Sequence, residues 1–328
     1  MGEVGMGVRL GVGLIILVLW GCTEEIDLVS EGEVVPVVYA IFDASDSIHT
    51  VRLTKSFGDE ISVEEMIHDP GRLYYDSPMI TMGRNRTTQD YSFQLNQSLP
   101  RQQGYFPEFP NPVYQLEQKL NPGMYTLHID PGDGSEPIIV TTHLITELVV
   151  AYPSHATKRI YFYDDPVSFI WFPSGMTYSY EIAFTMVYEE MHQTKGLQTK
   201  TVTYSRRIFE EELEWMQDRY KAYIYSDPVY AYYGLQVHED ELIEYRKPIE
   251  LILTISTSDQ DLTHYLSKSS PDIDTHRATK GNIDNAIGIV ASKFSRKFPN
   301  MQLSPKAMDS LRRGRFTKDL KFVNNSEW

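Results

Sequence analysis

Between residues 177 and 188 the chain alternates with a period of two. Tyr178, Tyr180, Ile182, Phe184, Met186 and Tyr188 are large and apolar or aromatic, while Thr177, Ser179, Glu181, Ala183, Thr185 and Val187 are mostly small or polar. Such strict alternation predicts a strand with one buried face, turned back through 191–196 into a second strand over 197–204. Apolar runs at 34–42 and 48–53, separated by Asp43-Ala44-Ser45-Asp46-Ser47, predict a hairpin. Pro36 either sets the first of these strands at a sheet edge or delays its start. Further strands are expected over 74–82, 91–95, 124–129 and 137–143, the last two joined by the Gly- and Asp-rich turn 130–135.

Three helices interrupt this pattern. Phe209, Leu213, Met216 and Tyr220 fall at steps of four, three and four, with Glu210, Glu211, Glu212 and Glu214 early and Arg219 and Lys221 late; the stripe and the charge order both predict a helix. A shorter helix is expected from Ser258, with Asp261 three residues on and Leu262, Tyr265 and Leu266 inside. A third starts at Ser304-Pro305 and ends before Gly314. The stretch 95–121, with Pro100, Pro107, Pro110 and Pro112 around Tyr105, Phe106 and Phe109, excludes a helix and a central strand. It is a long connection, with an aromatic binding loop as the alternative. The fold class predicted is mainly β: two β-sandwich-like domains, an immunoglobulin-like one over 34–145 and a β-rich one with short inserted helices over 146–328.

The first residues carry a different signal. Residues 10–20 (LGVGLIILVLW) form an uncharged apolar run preceded by Arg9. Eleven residues are too few to span a bilayer core of about 30 Å, but they suit the apolar region of a secretory signal peptide. The chain's single cysteine, Cys22, follows at once, in Leu19-Trp20-Gly21-Cys22. This resembles the lipobox of bacterial lipoproteins, which implies cleavage after Gly21 and acylation of Cys22. The alternative is an ordinary signal peptide beside a chance cysteine. Two or three acyl chains, at about 0.8 kcal/mol per buried CH₂, make a firm anchor. Residues 22–33 then form an acidic tether, and Thr23-Glu24-Glu25-Ile26-Asp27 resembles the surface-export signal of Bacteroidota-type lipoproteins. A merely solvated acidic tether is the other reading.

Composition narrows the function classes. The 328 residues are 41% hydrophobic and 23% charged, which fits globular cores and excludes a disordered chain. One cysteine leaves no internal disulfide and no cysteine-based zinc site. With 45 Asp plus Glu against 30 Lys plus Arg the net charge is −15, so phosphate backbones are repelled and nucleic acid is not a partner.

The segment IELILTISTSDQDLTHYLSK from Ile249, followed by GNIDNAIGIVASKF over 281–294, gives a strand, a short helix and an Asn-Ile turn feeding a Gly-containing strand. Together with 22–27, the opening hairpin and Pro122-Gly123-Met124-Tyr125-Thr126-Leu127, this resembles a Bacteroidota outer-membrane lipoprotein family known only as a domain of unknown function, number four-two-four-nine. The resemblance implies an outer-membrane address and association with TonB-dependent receptor systems. It assigns no catalytic residue.

Candidate chemistry is sparse. His238-Glu239-Asp240-Glu241 offers adjacent ligands that point apart on any regular element, and no His pair has the i, i+4 spacing of a zinc helix. Asp272, Asp274 and His276 alternate, yet follow Pro271 in a loop-like context. No nucleophile elbow or phosphate loop occurs, so no catalytic residue, metal or cofactor is expected. Tyrosine is in excess at 22, with Tyr220, Tyr223, Tyr225, Tyr230, Tyr232 and Tyr233 crowded around Asp227-Pro228. Tyr223, Tyr225, Tyr230, Tyr232 and Tyr233 are the candidate ligand-binding residues, because a phenol offers a flat apolar face with a polar tip suited to a glycan or a peptide. The plainer alternative is that they pack the body. The function expected is a surface-anchored, non-enzymatic outer-membrane lipoprotein that binds a ligand or an envelope partner, with a lipid-anchored glycan or peptide hydrolase as the alternative.

Overall fold

The computed structural model describes residues 34–56, 68–99, 109–154, 156–157, 159–162, 166–268 and 282–324. Cys22, the leader, the acidic tether, Tyr105, Phe106 and the Asp272–Asp274–His276 set lie outside the described residues.

The N-terminal unit consists of β1 (Pro36–Asp43), β2 (Ile48–Lys55), the one-turn helix α1 (Pro70–Leu73), β3 (Met79–Arg84), β4 (Asp90–Ser92), β5 (Gln94–Asn96), β6 (Val113–Glu117), β7 (Gly123–Asp130) and β8 (Ile138–Leu144). One layer runs β1-β2-β6-β5 and the other β4-β3-β7-β8. In chain order these are the A-B-E-D and C′-C-F-G sheets of an immunoglobulin-like sandwich. Tyr125, at the start of β7, donates its hydroxyl to the carbonyl of Asn121, 2.9 Å away, the tyrosine-corner contact of such sandwiches. Period-two burial fills the space between the layers with Phe42, Val51, Leu53, Ile80, Met82, Tyr125, Leu127 and Val140.

Three local expectations for this unit need correction or refinement. Residues 91–95 form two strands in different sheets, broken at Phe93, whose ring turns inward against Phe42. The proline-rich stretch holds a central strand after all: β6 begins just past Pro112 and lies between β2 and β5. Pro36 is the first residue of β1 and pairs with Lys55, one position before the ladder to the neighbouring strand begins; the late start, not an edge position, accommodates it.

The second unit adds β9 (Val150–Tyr152), β10 (Arg159–Ile160), β11 (Val167–Trp171), β12 (Ser179–His192), β13 (Gly196–Phe209), β14 (Glu214–Met216), β15 (Arg219–Ile224), α2 (Ser226–Gln236), β16 (Ile243–Ser258), α3 (Gln260–Lys268), β17 (Ile287–Leu303) and α4 (Pro305–Arg313). The sheet β14-β15-β11-β9 packs on β12 through Trp171 on Tyr180, Tyr220 on Tyr180 and Phe169 on Phe184. The predicted alternation holds within β12, where Tyr180, Ile182, Phe184, Met186 and Tyr188 are all buried, but Tyr178, expected on the same face, precedes the strand and is exposed. α4 is capped as expected, with Ser304 accepting from the Ala307 amide and Gly314 closing it.

The helix expected over 209–220 does not form. Residues 210–212 make a 3₁₀ turn, and β14 and β15 form a tight hairpin through Gln217 (φ 57°) and Asp218. Trp215 and Tyr220 face each other across it, 5.0 Å between ring centroids, so an aromatic cross-strand pair outweighs the weak helical stripe. The tyrosine-rich segment, conversely, is the helix α2.

The two units share one sheet. β1 runs parallel to β17, with Val37 to Asp43 in register with Ile287 to Lys293, and the large sheet reads β13-β12-β16-β17-β1-β2-β6-β5. The division expected near residue 145 coincides with the end of β8, but the hydrogen-bonded sheet runs straight across it. Gly288 makes this approach geometrically accessible: its φ is +115°, and a Cβ there would lie 1.9 Å from the Val38 carbonyl oxygen. Asn282 serves the same strand. Its amide nitrogen donates to the Val290 carbonyl at 2.7 Å and its oxygen accepts from the Val290 amide at 3.1 Å, replacing a strand partner.

Candidate functional site

The five candidate tyrosines divide by the element that carries them. On α2, Val229, Tyr230 and Tyr233 face the core. The Tyr230 hydroxyl donates to the carbonyls of Phe162 (2.9 Å) and Ala307 (2.7 Å), and that of Tyr233 to the Phe184 carbonyl at 3.2 Å. Burial pushes both phenols well above the usual range. They are packing residues and offer nothing to a ligand, which corrects the expectation for that pair. Tyr232 is half-buried and sets its ring edge-on against Tyr204 of β13, centroids 5.8 Å apart.

Tyr223 and Tyr225 differ, because alternation along β15 sends them the other way. Tyr220, Ala222 and Ile224 point into the sandwich, so Lys221 and Tyr223 point out, and the extended backbone at Tyr225 continues the row. Cross-strand partners complete the outer face: Glu214 lies opposite Lys221 on one side, Ile170 opposite Lys221 and Ser168 opposite Tyr223 on the other. The Tyr223 hydroxyl donates to Glu214 Oε2 at 2.8 Å, and the Lys221 ammonium sits 4.7 Å from the centre of the same ring. Tyr225 is 57% exposed. Arg206 fixes the strand from below, donating to the Tyr223 carbonyl at 3.1 Å and to Glu212 at 2.8 Å. The result is an outward row of flat rings with a carboxylate and an ammonium held beside it. Sequence reasoning found both residues but not their common face, which depends on reading 209–220 as strand.

The acidic and histidine motifs resolve into structural work. The His238 carbonyl accepts from Arg246, and Asp240 accepts from the Leu242 amide while standing 3.5 Å from His192. The 130–135 turn is held by Asp130 on the Gly132 amide and Asp133 on Ser135. Among the described residues no three His, Cys, Asp or Glu side chains gather as metal ligands.

Two buried carboxylates organise the junction of the units and the far end of the large sheet. Asp259 accepts from the Leu262 amide at the start of α3 (2.8 Å) and from the Ser292 amide in β17 (2.7 Å), while Ser292 donates on to the His143 carbonyl. Burial outweighs these bonds and pushes its pKa up to about 6. Glu190 is buried between Arg246 (2.7 Å) and Lys200 (2.5 Å). Burial acts to raise it, but the two cations prevail and hold it below the usual range. Sequence inspection could not single out either, since nothing local marks a carboxylate as buried.

No family model and no curated protein sequence matches the chain. Solved structures similar to parts of it include the three N-terminal domains of the highly immunogenic outer capsid protein of bacteriophage RB49, at 11% identity over 83% of this chain and 70% of that one, TM-score 0.19. Dpr2 Ig1–Ig2 in complex with DIP-Theta Ig1–Ig3 gives 8% identity over 69% and 77%, TM-score 0.18. InvD of Yersinia pseudotuberculosis gives 12% over 70% and 67%, TM-score 0.15. Superpositions at this level carry no argument, and the immunoglobulin-like assignment above stands on the strand order and the Tyr125 corner contact.

Proposed function

We propose that the protein is a lipid-anchored, non-enzymatic outer-membrane lipoprotein, facing the cell exterior, that binds a glycan on the outer face of the β14-β15-β11-β9 sheet. The observation that carries the ligand reading is the row Lys221, Tyr223 and Tyr225, with Glu214 beside it, on the solvent side of a sheet whose other side is core. Ring faces stack on the apolar face of a sugar, and the fixed carboxylate and ammonium take its hydroxyls. The anchor reading rests on Cys22 directly after the apolar leader. The family resemblance adds a TonB-dependent receptor system as the envelope partner.

A glycan array probed with the full chain, followed by calorimetry on the hits, tests the ligand. Tyr223→Ala with Tyr225→Ala should abolish binding, each lost stacking contact costing about 0.5–1.5 kcal/mol beyond its area. Binding that survives the double substitution, or selection of peptides over glycans, refutes the reading. Cys22→Ala should move the protein from the membrane pellet to the soluble fraction. Retention in the pellet refutes the anchor.

A further inference from the structure

β17 has a gap along one edge. It pairs with β1 up to Lys293 and with β10 only from Gln302, so from Phe294 to Met301 its sole strand neighbour among the described residues is β16. A cleft of about 590 Å³ opens at this gap, walled by the β6–β7 connection at Lys119 to Pro122 and floored by Phe294 to Lys297. That volume lies within the range of ligand pockets, roughly 300–1,000 Å³.

The direction of the main-chain groups follows from bonds already made. The Ala44 amide donates to the Lys293 carbonyl, and the Ser295 amide donates to Asp43 Oδ1 at 3.2 Å. Residues 293 and 295 therefore turn their main chain toward the β1 side, and alternation sends the Ser295 carbonyl and both main-chain groups of Lys297 the same way, into the cleft. Pro299, next in that series, has no N–H to donate, as befits an edge position.

The charge around the gap is also uneven. In a chain of net −15, Lys119, Arg296 and Lys297 meet there against Asp46 and Glu147. Lys119 is held in place by the carbonyls of Ala44 and Ser45, both at 2.7 Å, and Arg296 by Glu147 at 3.0 Å. An ammonium has three N–H donors, so two carbonyls leave Lys119 one for a ligand.

We infer that this cleft takes one short extended peptide, laid beside Ser295–Lys297 as an added strand with a carboxylate against Lys119 and Lys297. Three edge groups suit a segment of about four residues, and main-chain bonding to an open edge is an established mode of peptide recognition. The site is separate from the tyrosine face, and neither requires the other.

The test titrates the full chain in detergent with acetyl-Ala-Val-Ala-Asp, following heat release and hydrogen exchange. Binding should protect the Lys297 amide, the one free main-chain donor turned into the cleft, and leave 220–225 unchanged. The C-terminal amide form separates a terminal carboxylate from a side-chain one, and the peptide ending in Asn does the converse. One of the two should bind roughly tenfold more weakly, as should the free acid on Lys297→Glu, a surface charge change the fold tolerates. No heat and no protection at millimolar peptide overturns the inference. So does equal binding of all three peptides, indifference to Lys297→Glu, or protection confined to the tyrosine face.

Discussion

Gly288→Ala tests the joint between the two units. The residue sits at φ +115° with the Val38 carbonyl oxygen 1.9 Å, its carbon 2.8 Å and the Val38 nitrogen 3.2 Å from where a Cβ would be. An alanine must either push β1 away by about an ångström or rotate out of its conformation. Both disrupt the seven-residue parallel register between Val37 and Asp43. Holding a non-glycine residue at positive φ costs about 1–3 kcal/mol, and each main-chain hydrogen bond lost there adds about 1 kcal/mol. A loss of about 3–5 kcal/mol is expected, a large share of the roughly 5–15 kcal/mol that stabilises an ordinary domain. Two other glycines separate the contributions. Gly134 has φ +88° but nothing within 4 Å of its Cβ position, and Gly175 has open space and no positive φ. Gly134→Ala should cost about 1–2 kcal/mol, and Gly175→Ala should be neutral within about 0.5 kcal/mol. Urea unfolding followed by tryptophan fluorescence gives all three values. A Gly288→Ala loss below 1 kcal/mol, or one equal to that of Gly134→Ala, would refute the close-approach argument.

Three further outcomes are expected. Arg246→Ala leaves Glu190 buried with Lys200 alone and strips donors from the His238 and Leu320 carbonyls; it should cost about 3–5 kcal/mol by urea unfolding, and a loss under 1 kcal/mol would be inconsistent with a buried pair. Asp259 binds its proton more tightly in the folded chain, at about 6, than an ordinary aspartate does, at 3.8. Its burden on stability is therefore absent below the lower value, grows as pH rises between the two, and reaches about 3 kcal/mol above the higher. Asp259→Asn should flatten that slope in unfolding measured from pH 4 to 7, and an unchanged slope would assign it to other groups. Tyr230→Phe, which leaves the Phe162 and Ala307 carbonyls without their donor, should lower stability by about 1–3 kcal/mol in thermal unfolding. Tyr225→Phe on the surface should change it by less than about 0.5 kcal/mol.

What was legible in the sequence is what local patterning determines. The β12 alternation, the β1–β2 hairpin around Asp43 to Ser47 and the capped helix after Ser304 all reappear with small shifts in their ends. The 209–220 segment misled because four apolar residues at helical steps also fit two short strands. The deciding contacts, Tyr220 on Tyr180 and Trp215 on Tyr220, include one from far along the chain. α2 was signalled by Asp227-Pro228, a helix-start pair with proline in the first turn, but its low amphipathicity concealed it. In the candidate site, the tyrosine types were readable and their directions were not. Which ring faces solvent depends on strand parity, and that depended on the misread segment. The buried carboxylates and the β17 gap have no local signature, because each joins residues brought together only by the finished sheet.

The parallel ladder between β1 and β17 also constrains the order of events in biogenesis. Its two strands are separated by more than two hundred positions, so a chain emerging amino end first presents β1 long before its mate exists. Until the last fifth arrives, one flank of the nascent sandwich stays bare, ready to pair wrongly with a neighbour. Closure over such a sequence separation is slow by nature, and a fragment cut after the eighth strand would inherit the same sticky border permanently.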